Sequence, residues 1–196
     1  IKEALGHFQA AHEIKPSDAS VTLALAQTMS ADGQIADAEK LARSFLEKDK
    51  TYGPQNDFLY IAKLREKDIP AAEVILKSKV ENNPKSISAV MELAVHYLRH
   101  NQPDQSKAVI DRMVANKGDF PEGRGAAGDF YYRLGRFDDA MKHYEAGGAA
   151  ETSDRAAFQK KMVEVLSAQG RRQEAIQLTD KVLAENKEDA EALALR

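Results

Sequence analysis

The chain has 196 residues, with 28 Lys and Arg against 31 Asp and Glu, a formal charge of −3, and neither Cys nor Trp. Without Cys there can be no disulfide scaffold, thiolate metal site or cysteine nucleophile. The near-cancelling charge removes the field of a general nucleic-acid binder, and no apolar run approaches the roughly 18 residues that cross a bilayer; neither nucleic-acid binding nor membrane insertion of this segment is expected. Apolar residues recurring at helical spacing predict helices over 2–14, 19–32, 35–48, 54–66, 70–82, 87–100, 104–116, 121–134, 138–147, 156–169 and 172–185, with another opening near 189. Within 87–100, for example, Val90, Leu93, Ala94, Tyr97 and Leu98 line one face. Pro54, Pro70, Pro103 and Pro121 stand at predicted helix starts, where a missing N–H costs little, and Pro16 and Pro84 stand just past helix ends. Gly147-Gly148 predicts an early break and a loose spot after 147. The first residue is Ile1, no leader segment is visible, and both ends fall inside the pattern, so the chain reads as a piece of a longer one.

The pattern repeats. Steps of 34 residues lead from Ala4 to Ala38, Ala72, Ser106 and Ala140, and a step of 35 reaches Ala175. Leu25, Leu59, Leu93, Ala127 and Met162 form a second column in the same register. Phe8, Ala42, Leu76, Ile110, Tyr144 and Thr179 form a third. Gly33, Gly135 and Gly170 share a fourth with Lys67 and Asn101, and Pro16, Lys50, Pro84, Gly118, Thr152 and Lys187 a fifth.

A 34-residue unit of two helices, with a small residue opening the second, resembles the tetratricopeptide repeat (TPR). The unit containing Gly128, Tyr131, Gly135, Ala140 and Tyr144 matches best. The unit with Lys67 in the glycine column and Lys79 in a usually small column matches worst. The resemblance implies an all-α chain, a right-handed α-solenoid of stacked antiparallel helix pairs, running through residues 1–196 as one array. Its units are a partial repeat 1–18, repeats 19–52, 53–86, 87–120, 121–155 and 156–189, and the start of another at 190–196. One pair cannot bury its apolar face alone, so neighbours must stack into a curved array with a concave wall, and the resemblance implies that the first helices line that wall. By register that wall would carry Gln27, Ile61, Arg65, Met91, Val95, Arg99, Asp129, Tyr132, Arg133 and Lys160, a mixture suited to a peptide groove. One subfamily grips a C-terminal carboxylate with a Lys/Asn set on this wall. Leu23 and Gln27 occupy its first two places here, which argues against that clamp.

Other patterns carry less chemistry. Gly123-Arg124-Gly125-Ala126-Ala127-Gly128 spells a dinucleotide fingerprint, but no strand pattern precedes it, as that fold requires. Gly123 and Gly125 are read as helix entry or close packing, the sharper alternative being a notch that admits a ligand backbone. Glu92, His96 and His100 are spaced by four, which sets the outer pair about 12 Å apart along a helix, too far to share one zinc ion. These histidines are expected solvated or half-packed. Arg65, Arg99 and Arg133 recur every 34 residues near first-helix ends. They either complement helix dipoles or form a basic ladder on the inner wall for an acidic peptide, phosphate or anionic polymer, with Ala31 and Ala168 ending it. No strained-turn nucleophile motif occurs, and no catalytic residue, cofactor or metal site is assigned.

The expected function is a non-catalytic protein–protein interaction scaffold that holds a peptide or partner protein, acidic if the arginines take part, in its concave groove. End-to-end contacts between copies are also expected. The alternatives are a recruiting arm of a larger enzyme or, by likeness to large bacterial TPR proteins, a structural element of an envelope or exopolysaccharide assembly system.

Overall fold

The computed structural model describes residues 1–150 and 155–195; Thr152 lies outside them. The described residues form twelve helices and no strand. They are α1 (Lys2–Ile14), α2 (Ala19–Ala31), α3 (Ile35–Lys48), α4 (Gly53–Arg65), α5 (Ile69–Asn82), α6 (Ile87–Arg99), α7 (Pro103–Ala115), α8 (Gly123–Arg133), α9 (Phe137–Ala150), α10 (Arg155–Ala168), α11 (Arg172–Glu185) and α12 (Ala190–Leu195). Helix starts use side-chain caps where the sequence supplies them. Asp18 accepts the Ser20 and Val21 amides, Asp68 the Ala71 amide and Ser86 the Ala89 amide.

The chain divides into two compact units, Ile1–Ser106 and Lys107–Arg196. In the first, α1 packs on α2, α2 pairs with α3 and α4 with α5, and the α3–α4 and α5–α6 contacts continue the stack. In the second, α8 pairs with α9, α9 packs on α10, α10 pairs with α11, and α12 closes against both α10 and α11. This is the helix-pair stacking of an α-solenoid. Ala38, Ala72 and Ala140 are fully buried, and Ser106 and Ala175 nearly so, because a second helix lies close to its partner at that column; Ala4 is exposed. Leu59, Leu76, Ile110 and Tyr144 fill the space between helices.

Every described turn from a first to a second helix runs through one left-handed residue: Gly33 (φ 88°), Lys67 (60°), Asn101 (57°), Gly135 (70°) and Gly170 (73°). The same backbone bond closes each turn, from Gln34 N–H to Met29 C=O at 2.9 Å through to Arg171 N–H to Leu166 C=O at 2.9 Å. The glycine column is therefore conformational. Asn tolerates this region, whereas Lys meets its steric penalty. Lys67→Gly is expected to stabilise the protein by about 0.5–1 kcal/mol, seen as a higher urea midpoint with unchanged helicity. A midpoint unchanged or lower would show that Lys67 sits there without strain.

Two predicted boundaries are corrected. Helix α8 begins at Gly123, not at Pro121, because a turn from Phe120 C=O to Gly123 N–H (3.0 Å) folds the Phe120 ring inward. A Cβ on Gly123 would lie 3.3 Å from Phe120 Cβ and 3.4 Å from the Met113 carbonyl oxygen. The predicted break after 147 does not occur either, since α9 runs on to Ala150. Gly147 is small because the Phe158 ring rests on the α9 backbone: an added Cβ would meet Phe158 Cζ at 2.4 Å. The glycine pair admits a ring instead of ending the helix.

Candidate partner-binding face

In the first unit, α2 and α4 run side by side and leave a cleft of about 450 Å³ between their outward faces. Gln27, Ile61 and Arg65 all line it, together with Leu23, Pro54, Asp57 and Phe58. Asp57, Ile61 and Arg65 share one stripe of α4 because side chains four apart stack on a helix. Ile61 is 47% exposed, whereas Ile75 of the same repeat is buried. On α6 the corresponding stripe carries Met91 and Val95, both half-buried, and Arg99, exposed. Arg65 and Arg99 make no ion pair or hydrogen bond among the described residues.

Lys79, on the second helix α5, was missed as part of this face. It is 6% exposed, and its ammonium lies 2.5 Å from Asp57 Oδ1 on α4 and 2.5 Å from Glu92 Oε2 on α6. Burial pushes its pKa down, but the two carboxylate hydrogen bonds outweigh that and hold it above the ordinary lysine value. The stem passes Gly53, whose ideal Cβ would sit 3.6 Å from Lys79 Cε. The signal in the sequence was a lysine in a column where the resembled repeat usually has a small residue.

The histidine expectation needs correcting: His96 is fully buried rather than solvated or half-packed. It is gripped between helices, with Nδ1 3.1 Å from the Tyr60 hydroxyl, the His100 ring at 4.5 Å and the Tyr97 ring at 6.0 Å, while Nε2 has no partner. Glu92, the third member of the predicted series, is held by Lys79. Among the described residues no three His, Asp or Glu side chains group to hold a metal ion. Burial, and secondarily the nearby His100, lowers the His96 pKa below the ordinary 6.5. In the second unit, burial likewise lowers that of His143, stacked on Tyr131 at 5.3 Å.

This gives a signed prediction. The unfolded chain takes up these protons near 6.5, whereas the fold resists them until lower pH, so the stabilisation is complete above the unfolded value and is lost as pH falls below it. The urea midpoint is expected to drop between about pH 7 and about pH 5, above the range where the lowered carboxylates titrate. His96→Gln should flatten part of that drop. A midpoint constant over this interval would show that the buried imidazoles ionise freely in place.

In the second unit a cleft of about 440 Å³ opens beside α8 and α10. Asp129 lines it with Arg124, Gly125, Tyr144, Phe158 and Lys161. Asp129 accepts the Tyr144 hydroxyl at 2.6 Å and pairs with Lys161 at 3.2 Å. Of the residues expected on this wall, Lys160 is engaged elsewhere: its ammonium lies 2.6 Å from Glu191 and 3.2 Å from Asp189, below α12. Tyr132 is half-buried with its ring 5.7 Å from Phe137, and Arg133 is exposed at the end of α8. The six residues of the apparent dinucleotide fingerprint all lie inside α8, each glycine with its own neighbour. Gly123 meets Phe120, Gly125 opens on the cleft 3.7 Å (as Cβ) from Phe158, and Gly128 takes the Tyr144 ring.

The sequence model of the tetratricopeptide repeat family matches residues 63–128 and 131–196. No curated protein matches the sequence. Solved structures similar in fold include YrrB, a TPR protein with an unusual peptide-binding site (16% identity, 95% of this chain and 96% of that one, TM-score 0.47). Others are a tetratricopeptide repeat protein from Parabacteroides merdae ATCC 43184 (14% identity, 98% and 76%, TM-score 0.48) and pilF of Pseudomonas aeruginosa (16% identity, 95% and 85%, TM-score 0.47).

Proposed function

We propose, from the premise that this chain belongs to the tetratricopeptide repeat family, that it is a non-catalytic scaffold holding an extended segment of a partner protein on its first-helix face. Proteins of this family generally serve protein–protein interaction. The observation that carries the reading is the α2–α4 cleft, where Leu23, Phe58 and the exposed Ile61 form an apolar bed with Arg65 at its edge. A side chain laid there would shed water against three apolar groups, while polar groups at the rim orient it. Affinity in such a site comes from a few anchors rather than from area.

The test is selection of binders from a random peptide library, followed by fluorescence anisotropy on the winners. Ile61→Glu puts a charge into the apolar bed from an exposed position, so the fold should survive by circular dichroism. Affinity is expected to fall at least about tenfold, the loss of one anchor. Selected peptides that bind the Ile61→Glu protein as well as the wild type would remove this cleft from the function.

A further inference from the structure

Resting on that reading, we infer that the first-helix face of the Ile1–Ser106 unit selects an acidic partner segment, seating an apolar side chain between α2 and α4 and carboxylates on Arg65 and Arg99. The argument is a matching of charges. The carboxylates that form ion pairs around those arginines pair with lysines instead. Lys79 takes both Asp57 and Glu92, the acidic groups of the α4 and α6 stripes. Lys63 takes Glu39 at 2.8 Å and Glu66, the neighbour of Arg65, at 2.7 Å. Lys77 takes Glu73 at 2.7 Å, and Glu73 also accepts the Tyr97 hydroxyl.

Three lysines thus hold five carboxylates, and the two cations of the stripes that pair with none of them, Arg65 and Arg99, are guanidiniums. Their planar forks suit bidentate pairing with carboxylates better than an ammonium does. Their placement adds direction. Arg65 borders the cleft beside Phe58 and Ile61. Arg99 lies one repeat further, close enough to Tyr60 to lower its phenol's pKa against the larger raising effect of burial. A segment crossing the first helices in order meets the apolar bed and then two unpaired cations. Two guanidiniums on a chain of net charge −3 are too few to hold a bare polyanion, so the apolar contact and the charges must act together.

The probes are three fluorescein-labelled peptides of equal length, repeating Leu-Glu-Glu, Leu-Gln-Gln and Ser-Glu-Glu, titrated with the whole 196-residue chain by fluorescence anisotropy at about 0.1 M salt. The Leu-Glu-Glu peptide is expected to bind at least about tenfold more tightly than either other. The double variant Arg65→Gln, Arg99→Gln, surface changes that leave helicity intact, is expected to erase its advantage over Leu-Gln-Gln. Equal binding of the Leu-Glu-Glu and Leu-Gln-Gln peptides overturns the acidic selection and leaves the groove reading standing. Equal binding of the Ser-Glu-Glu peptide shows bare charge attraction and overturns the two-part site. An advantage that persists in the double variant moves the site off these arginines. Binding of none of the three overturns the groove reading along with this inference.

Discussion

Gly128→Ala is expected to lower the unfolding free energy by about 3 kcal/mol, although alanine is the better helix former by about 1 kcal/mol. The added Cβ would fall 2.2 Å from Tyr144 Cε1, 2.6 Å from Cδ1 and 2.7 Å from Cζ. The ring cannot swing aside. Tyr144 is 1% exposed, and its hydroxyl is anchored on Asp129 at 2.6 Å. Either α8 and α9 separate, opening the core around Ala127 and Ala140, or the ring leaves its pocket and gives up its hydrogen bond to Asp129. Urea denaturation measures the effect. The double variant Gly128→Ala, Tyr144→Leu should be less destabilised than the sum of its single changes, because the smaller side chain makes room for the methyl. A single variant as stable as wild type, or more so, would show that helix propensity governs this position and the close ring packing does not.

Lys79→Ala should cost about 2 kcal/mol, most of it from the buried stem. Asp57 and Glu92 are 47% and 42% exposed at their side chains, so water can solvate them once the ammonium is gone, and the charge part is discounted accordingly. Lys79→Met keeps most of the stem and should recover most of the loss. Comparing the two by urea midpoint separates packing from pairing. If Met were as damaging as Ala, the ammonium and its two carboxylates would be the dominant contribution. The Met variant also releases two carboxylates beside Arg65 and Arg99, so it should weaken any preference for an acidic segment without emptying the apolar cleft.

Much of the fold was legible because it is written locally and then repeated. The five turn residues are separated by 34 or 35 positions, and all five adopt the same left-handed conformation, including Lys67 and Asn101. Nine of the predicted helices agree with the structure within a residue at each end. The misses share a cause. Gly147 looked like a helix breaker because propensity treats a residue alone, yet it is a seat for the Phe158 ring of the next helix. His96 was expected solvated or half-packed, yet α4 supplies Tyr60 and His96 is fully buried.

The face itself divides in the same way. Register alone placed Gln27, Ile61 and Arg65 on one wall, and they share one cleft. It listed Lys160 where the ion pair to Asp129 is made by Lys161, and it gave no role to Lys79. Helix positions, the buried small column and the left-handed turns follow from backbone sterics and side-chain period, which act over a few residues and are visible in sequence. Which cation satisfies which carboxylate, and which ring fills which glycine, depends on atoms brought together from different helices. Long side chains such as Lys79 reach across a helix pair, so only the packed structure decides where their charge emerges.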